Sequence, residues 1–204
     1  MNAFDLLAVS YHSADGYREP AAILAESCKT HGLPLASLEV PPFESWDAAT
    51  HWKADFLTHA RKIWPGRSLL YLDADAVVEQ NPIPYLMELH SVGPFDIGVH
   101  YLRDSELLSG TIILMPTPRV DMVLSRWRKR CRVDPTTFDQ CHLRYAITDV
   151  AEWQPAMNDR RLPPQWCWID GGKKPDISEH HYGPEDGVII RQTQASRRLK
   201  RRPA

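Results

Sequence analysis

Three short apolar segments alternate with two helix-like segments in the first 72 residues, and this alternation constrains the fold more than any other feature. Residues 4–10, 35–40 and 68–72 have the length and apolar content of strands that are buried in a sheet. Residues 19–31 and 48–64 carry apolar side chains at helical spacing, and a glycine and a proline follow each segment. This order predicts an α/β fold with a mainly parallel sheet and helices on both faces.

The second half of the chain predicts additions to this sheet. Residues 95–101 and 106–115 have the pattern of two strands joined by a short polar turn, which favours an antiparallel pair. Thr117 and Pro118 are residue types that begin helices, and the helix they predict runs to about residue 132. The predicted architecture is a three-layer sandwich with a mixed sheet. The last predicted elements are a helix at 138–147 and a strand at 188–190.

Length and composition exclude several classes of protein. The 204 residues are 43% hydrophobic, which suits a single globular domain over residues 1–204 and excludes a disordered or fibrous chain. The apolar runs are far shorter than the roughly 20 residues that cross a bilayer. The N-terminus also lacks the pattern of a secretory signal, so we expect no membrane span and a cytoplasmic location. The cysteines form no C-x-x-C pair, which predicts buried free thiols: Cys28, Cys131, Cys141 and Cys167.

Charge is unevenly distributed along the chain. The formal net charge is −2, which gives no overall attraction to nucleic acid or anionic lipid. The basic C-terminal segment, residues 191–204, nevertheless contains six basic side chains and no acidic one. A second basic cluster lies at 126–132, near the predicted end of a helix, where cations interact favourably with the helix dipole. The C-terminal segment has three open interpretations: it covers phosphates, binds nucleic acid, or is solvated.

Asp73 and Asp75 follow directly after the third apolar segment, 68–72. A buried strand that ends in two acids places them at the carboxyl edge of the sheet, where open α/β folds bind ligands. In an extended chain, residues two apart point the same way, so we expect both carboxylates to face one ion. Oxygen ligands suit a hard divalent cation, and the sequence therefore predicts a site for Mn²⁺ or Mg²⁺.

Other interpretations of this motif are open on local sequence alone. It could be a solvated turn at the end of a strand. It also resembles the strand end of haloacid-dehalogenase-type phosphatases, in which Asp73 would attack a phosphate and Asp75 would act as the general acid and base. That chemistry needs a later acidic metal-binding pair, usually within a Gly-Asp segment, and this chain contains no Gly-Asp dipeptide.

A broader resemblance covers about 130 residues of the chain. Tyr71-Leu72-Asp73-Ala74-Asp75 looks like the metal-binding strand end of GT-A glycosyltransferases, similar in particular to glycosyltransferase family 8 and to small virus-borne nucleotide-sugar transferases. The resemblance implies a GT-A fold in a single domain. Further segments match that family in the same order: Ser109-Gly110-Thr111, Asp139-Gln140, the segment 162–167, and the segment 194–197 with Lys200.

The resemblance implies a metal site and a reacting centre. Asp73 and Asp75 would hold the cation, with Gln192 at the position where family members commonly have a histidine. His180 and His181 are alternatives for this third ligand. Asp139 and Gln140 would lie beside the anomeric carbon and the sugar hydroxyls, as catalytic residues.

The resemblance also implies a donor site. Glycine at 110 would allow the backbone to approach the sugar closely, and cations of the C-terminal segment would neutralise the departing diphosphate. Leu108 replaces the asparagine of the family's Asn-Ser-Gly segment. The alternative for Lys53 is a solvated helix lysine. The implied donor-binding residues are Ser10, Tyr11, Lys53, Asp73, Ser109, Gly110, Arg197 and Lys200.

The implied activity is transfer of a sugar from a nucleoside-diphosphate sugar, expected to be a UDP-sugar, to a hydroxyl acceptor. Similarity to family 8 implies that the anomeric configuration is retained, whereas an inverting enzyme would use Asp139 as its base. By analogy with virus-borne transferases, the acceptor could be a hydroxymethylated pyrimidine of DNA, flipped out of the duplex. The contrasting interpretation is a non-catalytic nucleic-acid-binding protein.

Overall fold

The computed structural model describes residues 5–170 and 187–195. Its first half alternates strands and helices as the sequence predicts. These elements are β1 (Leu6–Ser13), α1 (Arg18–Thr30), β2 (Leu35–Val40), α2 (Trp46–Ile63), β3 (Ser68–Leu72), β4 (Ala76–Val78) and α3 (Pro82–Ser91). The second half contains β5 (Ile97–Leu102), β6 (Glu106–Leu114), α4 (Pro118–Val133), α5 (Asp139–Trp153), β7 (Asp159–Arg161), a 3₁₀ turn (Pro164–Trp166), β8 (Trp168–Ile169) and β9 (Ile190–Gln192).

The central sheet has six described strands in the order β2-β1-β3-β6-β5-β7. β1 pairs in parallel with both β2 and β3, and β5 pairs in parallel with β7. β6 is antiparallel to both of its neighbours, β3 and β5, which confirms the predicted antiparallel pair. A smaller sheet, β4-β9-β8, lies beyond the end of β3. The mixed, mainly parallel sheet that the alternation predicts is therefore present.

Alternate residues of the strands feed two separate cores. Val9 and Tyr71 contribute to one core with side chains of α2, α4 and α5, including the fully buried Trp127. Ala8 and Leu70, their neighbours in sequence, face the opposite side with side chains of α1 and α3. Because successive strand residues point to opposite faces, strands this apolar require cover on both. The three-layer α/β sandwich is confirmed.

The helix boundaries follow capping chemistry. Thr117 accepts a hydrogen bond from the backbone N–H of Val120 and begins α4, as predicted. α5 is longer than its predicted range, 138–147, because Val150 extends its apolar stripe and is buried. The predicted strand 188–190 forms its ladder later, at Ile190–Gln192. Before it, Ile189 hydrogen-bonds to Glu79 and Gln165 rather than entering a regular ladder.

Several elements were missed by the sequence prediction. α3 begins at an Asn-Pro pair, in which the Asn81 side chain accepts from the N–H of Ile83 and proline occupies the first turn. These residue types are a helix-start signal that was available in the sequence. β4, β7 and β8 contain two or three residues each, too few for a periodic pattern.

The cysteines are free, as predicted, and three of the four are buried. The four cysteines are free; Cys28, Cys131 and Cys167 are buried and Cys141 is half-buried. Burial raises the pKa of the Cys28 and Cys167 thiols to about 12. None of the described helices combines the length and the apolar character needed to cross a bilayer.

Asp96 is a buried junction between the sheet and α4. Its carboxylate accepts hydrogen bonds from Thr117 Oγ1 at 2.7 Å, Arg119 Nε at 2.9 Å and the backbone N–H of Asn158 at 2.9 Å. Burial raises the pKa of Asp96, but these donors outweigh it and hold the pKa below its ordinary value. One carboxylate therefore ties the beginnings of β5 and α4 to the chain that enters β7.

We expect Asp96→Asn to lower the free energy of unfolding by about 1–3 kcal/mol at neutral pH, because buried donors lose a charged acceptor. The folded-state pKa is depressed, so this stabilisation is present above the unfolded-state value of about 3.9 and is lost as the pH falls through the folded-state value. The difference between variant and wild type should shrink on the acid side. Urea denaturation at several pH values measures this difference.

Asp104→Asn is the matched control, since Asp104 pairs with Arg161 in an exposed turn. Its effect should be within about 0.5 kcal/mol. An Asp96→Asn difference that is absent at neutral pH, or constant down to acid pH, would contradict the assignment of Asp96 as a charged junction.

Candidate functional site

A cavity of about 860 Å³ opens where β1 and β3 end. Tyr11 lies at the end of β1, and Asp73 directly follows β3. Because β6 runs antiparallel to β3, its first half reaches the same edge, and Ser109 and Gly110 line the cavity. α2, the beginning of α5, and β9 complete the wall with Lys53, Asp139, Gln140 and Gln192. The volume is that of a small-molecule site.

Lys53 is the centre of the polar network in this cavity. It lies on the buried side of α2 and is only 3% exposed. Its Nζ lies 3.2 Å from Asp73 Oδ1 and 3.3 Å from Asp139 Oδ2. It also donates to the hydroxyl of Ser109 at 3.0 Å and to the carbonyl of Ser109 at 3.2 Å. The alternative of a solvated helix lysine is wrong, because the ammonium is enclosed by acceptors from three other elements.

The carboxylates keep this buried ammonium charged. Burial lowers the pKa of Lys53, but the charges of Asp139 and Asp73 outweigh it and raise the pKa above its ordinary value. The Nζ also lies 5.1 Å from the centre of the Tyr71 ring, a distance typical of a cation–π contact. Tyr71 in turn donates its hydroxyl proton to Asp73 Oδ1 at 2.7 Å. The lysine and the tyrosine together fix one oxygen of Asp73.

Asp73 and Asp75 are held by a turn rather than by extended chain. The N–H of Ala76 donates to the carbonyl of Asp73 at 2.9 Å and closes the turn. The chain is therefore not extended here, and the expectation that an extended chain would point the two acids the same way is wrong. Both nevertheless line the cavity, because the turn folds back at its edge.

Asp75 is the more enclosed of the two acids. Its Oδ2 accepts from the N–H of Ala195 at 2.6 Å, and its carbonyl accepts from the N–H and the hydroxyl of Thr193. Burial, and next the charge of Asp73, raise the pKa of Asp75 to about 6. Two partly desolvated carboxylates at one cavity edge create a local negative charge that favours a cation.

Gly110 leaves room beside these acids. A Cβ at this position would lie 3.1 Å from Asp73 Oδ2 and 3.1 Å from the amide carbon of Gln192. Gln192 is buried, and its Nε2 donates to the carbonyl of Gly110 and to the hydroxyl of Thr111. The backbone of β6 thus approaches Asp73 and Gln192 so closely that a Cβ at residue 110 would fit only if these side chains shifted.

Asp139 begins α5 and is buried against the network. Its Oδ2 accepts from Ser109 Oγ at 2.8 Å in addition to its contact with Lys53. Its carbonyl accepts from the indole N–H of Trp127 at 2.9 Å, so the core of α4 fixes its backbone. Gln140 donates to Glu106 at 3.0 Å and faces the same cavity.

The cavity brings together most of the residues that the sequence singled out. The exception is Ser10, which is fully buried and lies outside the cavity lining, so the structure places Tyr11 and not Ser10 at this surface. Arg197, Lys200, His180 and His181 lie outside the described residues. The predicted residues that line the cavity are Tyr11, Lys53, Asp73, Asp75, Ser109, Gly110, Asp139, Gln140 and Gln192.

Sequence reasoning missed three aromatic contributors to the site. Tyr71 precedes Asp73 by two residues in a strand, and this spacing was a usable signal that it could reach the acid. Phe43 comes from the connection into α2 and Trp46 is the first residue of α2. Both line the cavity, and the ring of Phe43 lies 6.4 Å from that of Tyr11. A loop without periodicity gives no comparable signal.

Three solved structures of glycosyltransferases are similar in fold to this chain. A glycosyltransferase involved in glycosylation of the major capsid of PBCV-1 is similar over 96% of this chain and 97% of its own, with a TM-score of 0.68 at 13% sequence identity. The chain has the fold of a glycosyltransferase. The apo form of GlyE from Streptococcus pneumoniae TIGR4 is similar over 94% of this chain and 55% of its own, with a TM-score of 0.59 at 14% identity. The apo form of mouse xyloside xylosyltransferase 1 is similar over 95% and 98%, with a TM-score of 0.53 at 12% identity.

The implied GT-A fold is confirmed by these similarities. No protein-family model and no curated protein sequence matches the chain. At identities of 12–14%, these similarities establish the fold and not the activity.

We expect Lys53→Met to lower the free energy of unfolding by about 3–5 kcal/mol, because it leaves the buried Asp139 carboxylate without its cation. Adding Asp139→Asn to this variant should restore part of the loss, since the second change removes the unpaired charge. Urea denaturation of both variants measures the coupling.

Lys62→Met is the matched control, because Lys62 is an exposed lysine of the same helix. Its effect should stay within about 0.5 kcal/mol. Equal effects of the Lys53 and Lys62 substitutions would mean that the buried network does not stabilise the fold.

Proposed function

We propose that the chain is a metal-dependent glycosyltransferase that moves a sugar from a nucleoside-diphosphate sugar to a hydroxyl acceptor. The observation that carries the proposal is the Lys53 network. It joins Asp73 at the end of β3 to Asp139 at the beginning of α5, across a cavity in a fold shared with glycosyltransferases. The haloacid-dehalogenase alternative lacks this support, because the structures with the same fold are glycosyltransferases.

The donor site is the part of the cavity between Tyr11 and Gly110. Tyr11 and Phe43 offer aromatic surface to a nucleoside, and Tyr11 is fixed because its hydroxyl donates to the carbonyl of Ala49 at 2.6 Å. Gly110 offers close backbone approach to the sugar. A cavity of about 860 Å³ accommodates a nucleotide sugar, and a UDP-sugar is the donor we propose.

Asp73, Asp75 and Gln192 form the proposed site for Mn²⁺ or Mg²⁺. Two carboxylates and an amide give oxygen ligands, and the missing Cβ of Gly110 leaves space between Asp73 and Gln192. The amide nitrogen of Gln192 donates two hydrogen bonds within the protein, and these bonds orient its side-chain carbonyl oxygen. When bound, such a cation stabilises the negative charge of the departing diphosphate.

Asp139 and Gln140 are the proposed residues at the reacting centre. Asp139 accepts from both Ser109 and Lys53, so its carboxylate is held in one orientation. A fixed carboxylate of this kind positions a sugar and stabilises positive charge that develops at the anomeric carbon. This arrangement fits the retention that similarity to family 8 implies better than a role for Asp139 as an inverting base.

Non-catalytic nucleic-acid binding has less support. In the cluster 126–132, Arg128 and Arg132 both pair with Asp55, and Arg130 pairs with Asp149. These three arginines share two carboxylates, so part of the positive charge of the cluster is offset within the protein. A hydroxymethylated pyrimidine of DNA remains one proposed acceptor, to be compared with free sugars and protein hydroxyls.

We expect one of UDP-, GDP-, dTDP- or CMP-sugars, with a UDP-sugar as first choice, to raise the melting temperature and to be hydrolysed when Mn²⁺ is added. Asp73→Asn and Asp75→Asn should each reduce kcat/KM on the order of 100-fold, because the charge on the diphosphate is no longer offset. Thermal-shift and product-release assays with and without Mn²⁺ measure both effects.

Asp159→Asn is the control, because Asp159 is an exposed carboxylate that does not line the cavity. Its kinetics should match those of the wild type. The absence of any nucleotide-sugar binding, or wild-type turnover by both Asp73 and Asp75 variants, would refute the transferase. Binding to DNA that weakens steeply with salt and ignores both Mn²⁺ and nucleotide sugar would favour the non-catalytic alternative.

We further expect removal of residues 197–204 to weaken donor binding or turnover, because Arg197 and Lys200 are the proposed partners of the diphosphate. Removal of residues 203–204, which carry no charge, is the control. Steady-state kinetics together with the melting temperature measure the effect. Unchanged kinetics in the longer truncation would exclude this role for the two cations.

A further inference from the structure

Three potential metal ligands from three helices meet behind the proposed reacting centre. His51 lies on α2, Cys131 on α4 and His142 on α5. One ligand atom from each lies within 4.8 Å of the other two. Cys131 and His142 are buried, and His51 is half-buried. Sequence analysis could not find this group, because its members are separated by 80 and 11 residues and the spacing matches no metal-binding motif.

Hydrogen bonds to backbone carbonyls select one tautomer for each histidine. His51 Nε2 lies 2.8 Å from the carbonyl of Thr137, and His142 Nε2 lies 2.7 Å from the carbonyl of Asp134. A carbonyl only accepts, so Nε2 carries a proton in both rings, and in the neutral imidazole each Nδ1 keeps a lone pair that a metal can use. This arrangement is the usual outer-shell support of a metal-binding histidine.

His142 has an unused acceptor in the interior. Its Nδ1 is buried and has no hydrogen-bond partner within residues 5–170 and 187–195, and the side chain belongs to a residue that is only 3% exposed. A buried polar atom without a partner is costly unless a ligand fills the gap. The nearby Cys131 thiol is a weak donor and a strong metal ligand once it loses its proton.

We propose that His51, Cys131 and His142 bind a borderline-soft divalent transition-metal ion such as Zn²⁺, at a site separate from the oxygen ligands of Asp73 and Asp75. One imidazole nitrogen from each histidine and the thiolate sulfur are the ligands, and the thiol proton passes to solvent as the metal–sulfur bond forms. A Zn²⁺ ion with bonds of about 2.0–2.3 Å draws the three ligand atoms closer together than they lie here. His51 provides this adjustment, because its ring is half-exposed.

The site would act as a positioning device. His51 is two residues from Lys53 on α2, and His142 is three residues from Asp139 on α5. An ion held by both helices and by α4 fixes the separation of Lys53 and Asp139 without contacting the substrate. This inference goes beyond the proposed function, since it concerns a second metal of different chemical class.

Titration of the metal-free full chain with Co²⁺ tests the proposal, because a cobalt–thiolate bond produces a near-ultraviolet charge-transfer band that oxygen ligands do not produce. We expect one equivalent of Co²⁺ to produce this band and Zn²⁺ to abolish it. Cys131→Ser should remove the band, and His51→Gln should weaken Co²⁺ binding at least about 10-fold. His51 is half-buried, so we expect His51→Gln to fold. This variant therefore still tests the proposal if Cys131→Ser does not fold.

Cys28→Ser is the matched control, since it removes a buried thiol from α1 and should leave the band unchanged. Cys141→Ser should also leave it unchanged, which excludes the thiol next to His142. A wild-type protein without the band, or a band that persists in Cys131→Ser, would overturn the proposal. The double variant Asp73→Asn/Asp75→Asn should retain the band, so loss of nucleotide-sugar binding and loss of this site are separate outcomes.

Discussion

The ammonium of Lys53, buried among carboxylates, is the interaction on which the candidate site depends. Taking a lysine out of water is unfavourable unless acceptors surround it, and here the acceptors come from the residue after β3, from β6 and from α5. Each acceptor holds a different part of the cavity wall in place. The sheet edge, the antiparallel strand and the helix start can coexist at this spacing because one cation lies between them.

The fold was predictable wherever a periodic pattern was long enough. The strands β1 and β3 and the helices α1, α2 and α4 follow from apolar runs, helical spacing and caps such as Thr117. β4 and β7 were not predictable, because a strand of three residues is defined by its partner rather than by its own sequence. The predicted helix also ended too early at the position of α5. Val150 belongs to this helix because it packs into the buried core, which the structure shows.

The candidate site was predictable as a set of residues but not as a geometry. Strand ends and motif order pointed to Asp73, Ser109 and Asp139, and these residues do share one network. The conformation of Asp73-Ala74-Asp75 required the structure, because a turn and an extended chain have the same residues. The burial of Ser10 also required the structure, because the sequence does not specify which residues near the end of β1 face the cavity.

The N–H of Ala195 donates to Asp75, and this hydrogen bond attaches the C-terminal segment to the acid pair at residue 195. The oxygen that accepts this N–H is also one that a cation would attract. Occupancy of the acid pair and the attachment of residue 195 are therefore linked equilibria, and whatever strengthens or weakens one changes the other by the same free energy. Ala195 is thereby coupled thermodynamically to the charge state of the cavity, even without a contact between the chain at this position and a ligand.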